Sequence, residues 1–134
     1  MKSYTYARAL QAALIGIAMT GAATLARADI KDYEFQLVDK AIKKGDAIIS
    51  VRLIHKPDGK PVPDAVIFAT RLDMAPDGMQ EMATKVTPMT GAEPGVYRFK
   101  ANLSMAGGWQ LSLGAKVQGE TGTVENKLVL KATP

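Results

Sequence analysis

Val96-Tyr97-Arg98-Phe99-Lys100-Ala101-Asn102-Leu103, followed after a short gap by Trp109-Gln110-Leu111-Ser112-Leu113-Gly114-Ala115-Lys116-Val117, carries the clearest periodicity in the chain. Tyr97, Phe99, Ala101 and Leu103 alternate with Arg98, Lys100 and Asn102. Trp109, Leu111, Leu113, Ala115 and Val117 do the same one strand later. Successive side chains of a strand point to opposite faces, so a period of two marks a strand with one face in a core. The joining segment Ser104-Met105-Ala106-Gly107-Gly108 is short and glycine-containing, as a loop between two strands requires.

The same reading extends outward in both directions. Tyr33, Phe35 and Leu37 alternate with Glu34 and Gln36 in a first strand, and Lys43-Lys44-Gly45-Asp46 turns the chain into a second over residues 47–55. Lys56-Pro57-Asp58-Gly59-Lys60-Pro61 is a turn, with Pro and Gly where special φ values are needed. A third strand covers residues 65–73, with Val66, Phe68 and Leu72 on one side. A short fourth is expected near residues 84–86, and residues 96–103 and 109–117 are the fifth and sixth. A seventh follows the turn Gly119-Glu120-Thr121-Gly122 and occupies residues 123–132. Seven short strands at near-regular spacing predict an all-β, antiparallel, immunoglobulin-like sandwich of two sheets, with an open barrel as the alternative.

Residues 1–28 read as a secretory signal peptide, leaving residues 29–134 as one domain. Lys2 and Arg8 precede an apolar, Ala-rich run ending at Leu25, and Ala26-Arg27-Ala28 has the small-x-small pattern of a cleavage site. An uncleaved anchor is the competing reading, but the run is short for a bilayer and rich in Ala, Gly and Thr. Removing Lys2, Arg8 and Arg27 takes 17 basic residues to 14 against 13 acidic ones, so the net charge falls from +4 to +1. The basic character of the whole chain therefore lies largely in the signal and gives no reason to expect nucleic-acid binding. There are no cysteines, so neither disulfides, thiolate metal ligands nor a lipidated cysteine is available. The expected product is periplasmic, without a stable membrane anchor.

Asp73-Met74-Ala75-Pro76-Asp77-Gly78-Met79-Gln80-Glu81-Met82 places three methionines among loop-forming residues. Thioether sulfur is a soft ligand suited to Cu(I). If the strands run alternately up and down, this loop shares a pole with Met105 and with the turn at residues 43–46. Met89 and His55 then lie at the other pole. Met74, Met79, Met82 and Met105 are thus the candidate metal ligands, and the Trp109 ring is a candidate to cover a bound cation. Met79 and Met82, three apart, would share a face of one helical turn. The bland alternatives are that Met74 and Trp109 belong to the core and that loop methionines plug the end of the sandwich. Asp73, Asp77 and Glu81 lack the spacing of a calcium loop and read as solvated loop residues. His55, alone beside a Lys-Pro turn, reads as structural or exposed.

Catalysis has little to draw on. One histidine, no cysteine, no nucleophile elbow and no phosphate-binding glycine loop leave no recognisable catalytic set, and nothing close in sequence would activate Ser104. The chain is therefore expected not to be an enzyme.

Ala69-Thr70-Arg71-Leu72-Asp73-Met74 with Met79 and Met82, then Gly95-Val96-Tyr97-Arg98-Phe99, then Leu103-Ser104-Met105-Ala106-Gly107-Gly108-Trp109, resemble the YtkA-like or FixH-like domain group over residues 60–131. The resemblance implies a small exported β-sandwich that handles copper beside heavy-metal efflux systems, by delivery or by sequestration. It implies a copper-efflux or cuproenzyme-assembly protein as partner, with Met74, Met79, Met82 and Met105 as ligands. FixH proteins keep a membrane anchor, whereas this chain reads as released, which departs from an oxidase-assembly role. A metal-independent interaction module with a methionine-rich docking pole is the alternative. A sandwich that binds a small apolar ligand, or an uncharacterised hydrolase, is a third.

Overall fold

A computed structural model describes residues 29–90 and 93–134; the expected signal peptide, residues 1–28, lies outside the described residues. Ten strands follow one another: β1 (Tyr33–Leu37), β2 (Ala41–Lys43), β3 (Gly45–His55), β4 (Lys60–Pro61), β5 (Val66–Met74), β6 (Met79–Thr84), β7 (Val86–Met89), β8 (Val96–Leu103), β9 (Gly107–Lys116) and β10 (Val124–Thr133). They form two sheets. One has the order β1-β3-β8-β7, with β4 also paired to β3, and the other has the order β2-β10-β9-β5-β6.

The alternating strands face one another across a single core. Phe35, Ile49, Val51, Leu53, Phe99 and Leu103 enter it from the first sheet; Leu72, Met74, Trp109, Leu111, Leu113 and Leu130 enter it from the second. Each fully buried aliphatic or aromatic side chain of this kind stabilises by about 1.5–3 kcal/mol relative to exposure. Burying the alternating face is what makes these segments strands. Two sheets over one core is the sandwich and not the open barrel.

Several expectations change in detail. The chain has ten strands among the described residues where the periodicity predicts seven. Two extra strands, β2 and β4, are only 3 and 2 residues long, too short to show a period. The expected fourth strand at residues 84–86 is instead a crossing. β6 pairs with β5 in the second sheet, β7 pairs with β8 in the first, and Lys85 joins them. Because β6 and β7 run in the same direction, the up-and-down parity survives. The sheets are not purely antiparallel, since β2 pairs with β10 in parallel.

The third strand is the largest departure. Val66 and Phe68 are 65% and 56% exposed, while Leu72 and Met74 are fully buried. Ile67 pairs with Ala115 and Ala69 with Gly114, leaving Phe68 as the extra residue of a β-bulge. One inserted residue reverses every side chain beyond it. The even-numbered positions before the bulge therefore face solvent and those after it face the core.

Candidate metal centre

The methionine-rich segment is a tight hairpin rather than a long loop. Ala75–Asp77 forms one 3-10 turn, with Pro76 in it, and Gly78 closes the turn with φ +75, a conformation glycine adopts without a Cβ penalty. Asp73 fastens the entry. Its Oδ1 accepts the backbone N–H of Ala75 at 3.0 Å, and its Oδ2 accepts the Arg71 Nε–H at 2.7 Å. Arg71 also donates through Nη2 to the carbonyl oxygen of Gln80 at 2.9 Å, tying β5 to β6. Beyond the turn, Met74 stands opposite Met79 across the β5–β6 ladder.

The loop before β9 closes on this hairpin. Asp77 Oδ2 accepts the Gly108 N–H at 3.1 Å. Gly107 has φ +138, and a Cβ there would overlap the Asp77 carboxylate and stand 3.0 Å from the Met74 methyl carbon. A Cβ at Gly108 would stand 2.9 Å from Pro76. Backbone approach this close requires both glycines. Trp109, buried in the core, donates its indole N–H to the Met105 carbonyl oxygen at 3.0 Å. The backbone that carries Met105 is thereby held at the pole.

The four candidate ligands stand in graded exposure. Met74 is fully buried, Met79 and Met82 are half-buried and pack against the core, and Met105 is 41% exposed. Met74 and Met79 lie opposite each other, and the Gly107–Gly108 backbone that follows Met105 closes on the same turn. Met79 and Met82 are not on a helical turn. They lie in β6, and the ladder register jumps from Asp73–Ala83 to Met74–Met79. That irregularity lets residues three apart both pack inward. Gly45, opposite Leu103, begins β3 at this pole. His55 ends the same strand at the far pole, and Met89 lies in β7 opposite Arg98.

One reading of a side-chain role changes. Asp73 is not a solvated loop residue: it is 4% exposed, and both its oxygens are engaged. Trp109 is a core aromatic, as its alternation with Leu111 and Leu113 suggests, and its N–H is taken by Met105. Among the described residues, no group of three or more His, Asp or Glu side chains is placed to hold a metal ion. Asp77 and the Gly107–Gly108 pair were not legible as a joint between the two loops. The only sequence signal was the Gly-Gly pair itself.

The far pole holds a separate polar cluster. His55 Nδ1 is 3.1 Å from Asp58 Oδ1, and its ring centroid is 5.0 Å from that of Tyr33. His55 Nε2 is buried without a hydrogen-bond partner among the described residues. Tyr33 donates its hydroxyl to Glu120 at 2.9 Å. Burial first, then the Glu120 carboxylate, push that hydroxyl up to about 12. The Lys60 backbone N–H, with lesser help from His55, lowers Asp58.

A sequence model of the YtkA-like family matches residues 27–114, more than half of the chain. Among solved structures, the chain is similar to the crystal structure of the Lin-41 filamin domain. The TM-score is 0.46 and the identity 18%, over 80% of this chain and 95% of that one. Comparison with curated proteins gave no match.

Proposed function

We propose that this chain, which belongs to the YtkA-like family, is an exported copper-binding protein that holds Cu(I) through methionine sulfur at one pole of its sandwich. The observation that carries the reading is the joint between two methionine-bearing segments. Asp77 receives Gly108, the Met74 methyl lies against Gly107, and Met79 stands opposite Met74. Neutral thioethers suit a soft monovalent ion, and no carboxylate cluster competes for a hard one among the described residues. In this reading Met74 is the inner ligand, Met79 its cross-strand partner and Met105 the exposed ligand through which the ion enters and leaves. Met82 backs the set from further along β6. A site of uncharged sulfur at a surface suits transfer to an efflux or cuproenzyme-assembly partner, or sequestration, with no turnover and a periplasmic location.

A second reading, a metal-independent interaction module, draws on the packing of Met79 and Met82 against the core. Adaptable apolar methionines there would shape a docking surface without any metal. Competition for Cu(I) against a colorimetric chelator separates the two. Copper retention should be lost when Met74, Met79, Met82 and Met105 are all replaced by Leu, which keeps apolar bulk and removes sulfur. Unchanged retention by that folded variant refutes the copper reading.

A further inference from the structure

β5 is paired along one side only for most of its length. β9 accompanies it from Val66 to Asp73, whereas β6 meets it only from Leu72 to Met74. Along residues 66–71 the other edge has no ladder partner among the described residues. Exposed edges are ordinarily blunted by charge, proline or cover. This one instead carries Val66 and Phe68, 65% and 56% exposed, on its solvent-facing side, with the Phe68 ring against Gly114 of β9.

The open edge borders a groove of about 340 Å³. Ile67, Phe68 and Thr70 form its β5 wall, Pro88 and Met89 its β7 wall, with Tyr97 and Phe99 from β8 between them. Only one wall can extend a ladder freely. β7 is the edge of the other sheet, and Pro88 removes a backbone donor from it. The free hydrogen-bonding edge is therefore β5. Arg98 is the one charged residue lining the groove, and its Nε is buried without a hydrogen-bond partner among the described residues.

From this geometry we infer that the β5 edge is a docking site for an extended segment of a partner protein, apolar at alternate positions and carrying a carboxylate beside Arg98. Backbone hydrogen bonds to residues 66–71 add a strand to the second sheet, Phe68 and Met89 flank its apolar side chains, and Arg98 selects the acidic one. This is strand addition to a sheet edge, in which the ladder supplies affinity and the side-chain walls supply specificity. The site is distinct from the methionine pole and does not depend on copper.

The test uses the protein over residues 29–134 and a capped peptide of about eight residues alternating valine and threonine, with one central threonine replaced by glutamate. Amide resonances of residues 66–71 should shift, and their hydrogen exchange should slow. A lysine in place of the glutamate should weaken binding about tenfold, and Arg98→Gln should abolish that preference. Phe68→Asp, at an exposed position, should weaken the glutamate peptide without altering the emission of buried Trp109. No shift in these amides at about 1 mM peptide, or shifts confined to other surfaces, overturns the inference. So does protection of these amides with dimerisation in the absence of peptide, which would make a second copy the occupant. A glutamate preference that survives Arg98→Gln also overturns it.

Discussion

Replacing Gly107 with alanine probes the joint on which the candidate site depends, and Gly119→Ala is the matched control. Both glycines have positive φ, +138 and +88, but only at Gly107 would the new Cβ meet other atoms. It would overlap the Asp77 carboxylate and stand 3.0 Å from the Met74 methyl, while at Gly119 nothing lies within 4 Å. The backbone strain common to both is of order 1–3 kcal/mol. Forcing a methyl into packed surroundings adds about 1–3 kcal/mol, and displacing Asp77 from Gly108 adds about 1 kcal/mol for the lost hydrogen bond. Gly107→Ala should therefore be less stable than Gly119→Ala by about 2–4 kcal/mol, a large part of the roughly 5–15 kcal/mol that holds a domain folded. Urea unfolding followed through Trp109, which is 1% exposed, reads the difference. At a urea slope of roughly 1–3 kcal/mol per molar, the two midpoints should differ by at least about 0.7 M. Equal midpoints would mean that the Met105 segment does not rest on Met74 and Asp77, and the reasoning about convergence would fail.

Other consequences follow from the same contacts. Asp73→Ala leaves the Ala75 N–H and the Arg71 guanidinium without their partner, so it should destabilise by about 1–3 kcal/mol. Glu81→Ala, at an exposed position on β6, should change stability by less than about 0.5 kcal/mol; thermal unfolding of the two variants checks the contrast. Tyr33, with its folded pKa raised to about 12, favours the neutral phenol in the native state. Its contribution is complete below about pH 10 and is lost as pH rises from about 10 to about 12. Tyr33→Phe should accordingly lose less stability than the wild type across that interval, as measured by urea midpoints at successive pH values.

Most of the fold was legible because alternation and burial coincide. β1, β3, β8, β9 and β10 each keep a clean period of two, and the structure places them within about two residues of the expected bounds. The failures have local physical causes. In β5 the bulge at Phe68 reverses the pattern in mid-strand, and a sequence carries no mark of the extra residue. In β6 the spacing of Met79 and Met82 imitates a helical turn, because the ladder slips between them. β2 and β4 are held by their neighbours rather than by any period of their own.

The candidate site divides along the same line. Parity alone grouped the Met105 loop with the turn of Met74 and Met79 and set His55 at the far end, since strand direction follows from counting, whereas Met89 lies within β7 opposite Arg98 and not in a loop. Side-chain partners do not follow from counting. Asp73 and Asp77 looked like ordinary loop acids, yet one is buried under Arg71 and the other clasps Gly108. Trp109 reads from the sequence as a core aromatic sooner than as a cover for a cation. Its neighbours Leu111 and Leu113 place it in the core, and only the structure shows its N–H directed to Met105.

The most direct measurement of the copper reading is a Cu(I) titration of the protein carrying ¹³C-labelled methionine methyl groups, followed by NMR under anaerobic conditions. The methyl resonances of Met74, Met79 and Met105 should move together and saturate at one ion per chain, while Met89 at the opposite side serves as the unmoved internal control. If those three methyls stay in place through saturating Cu(I), or if Met89 responds as strongly as they do, the methionine pole is not a copper site.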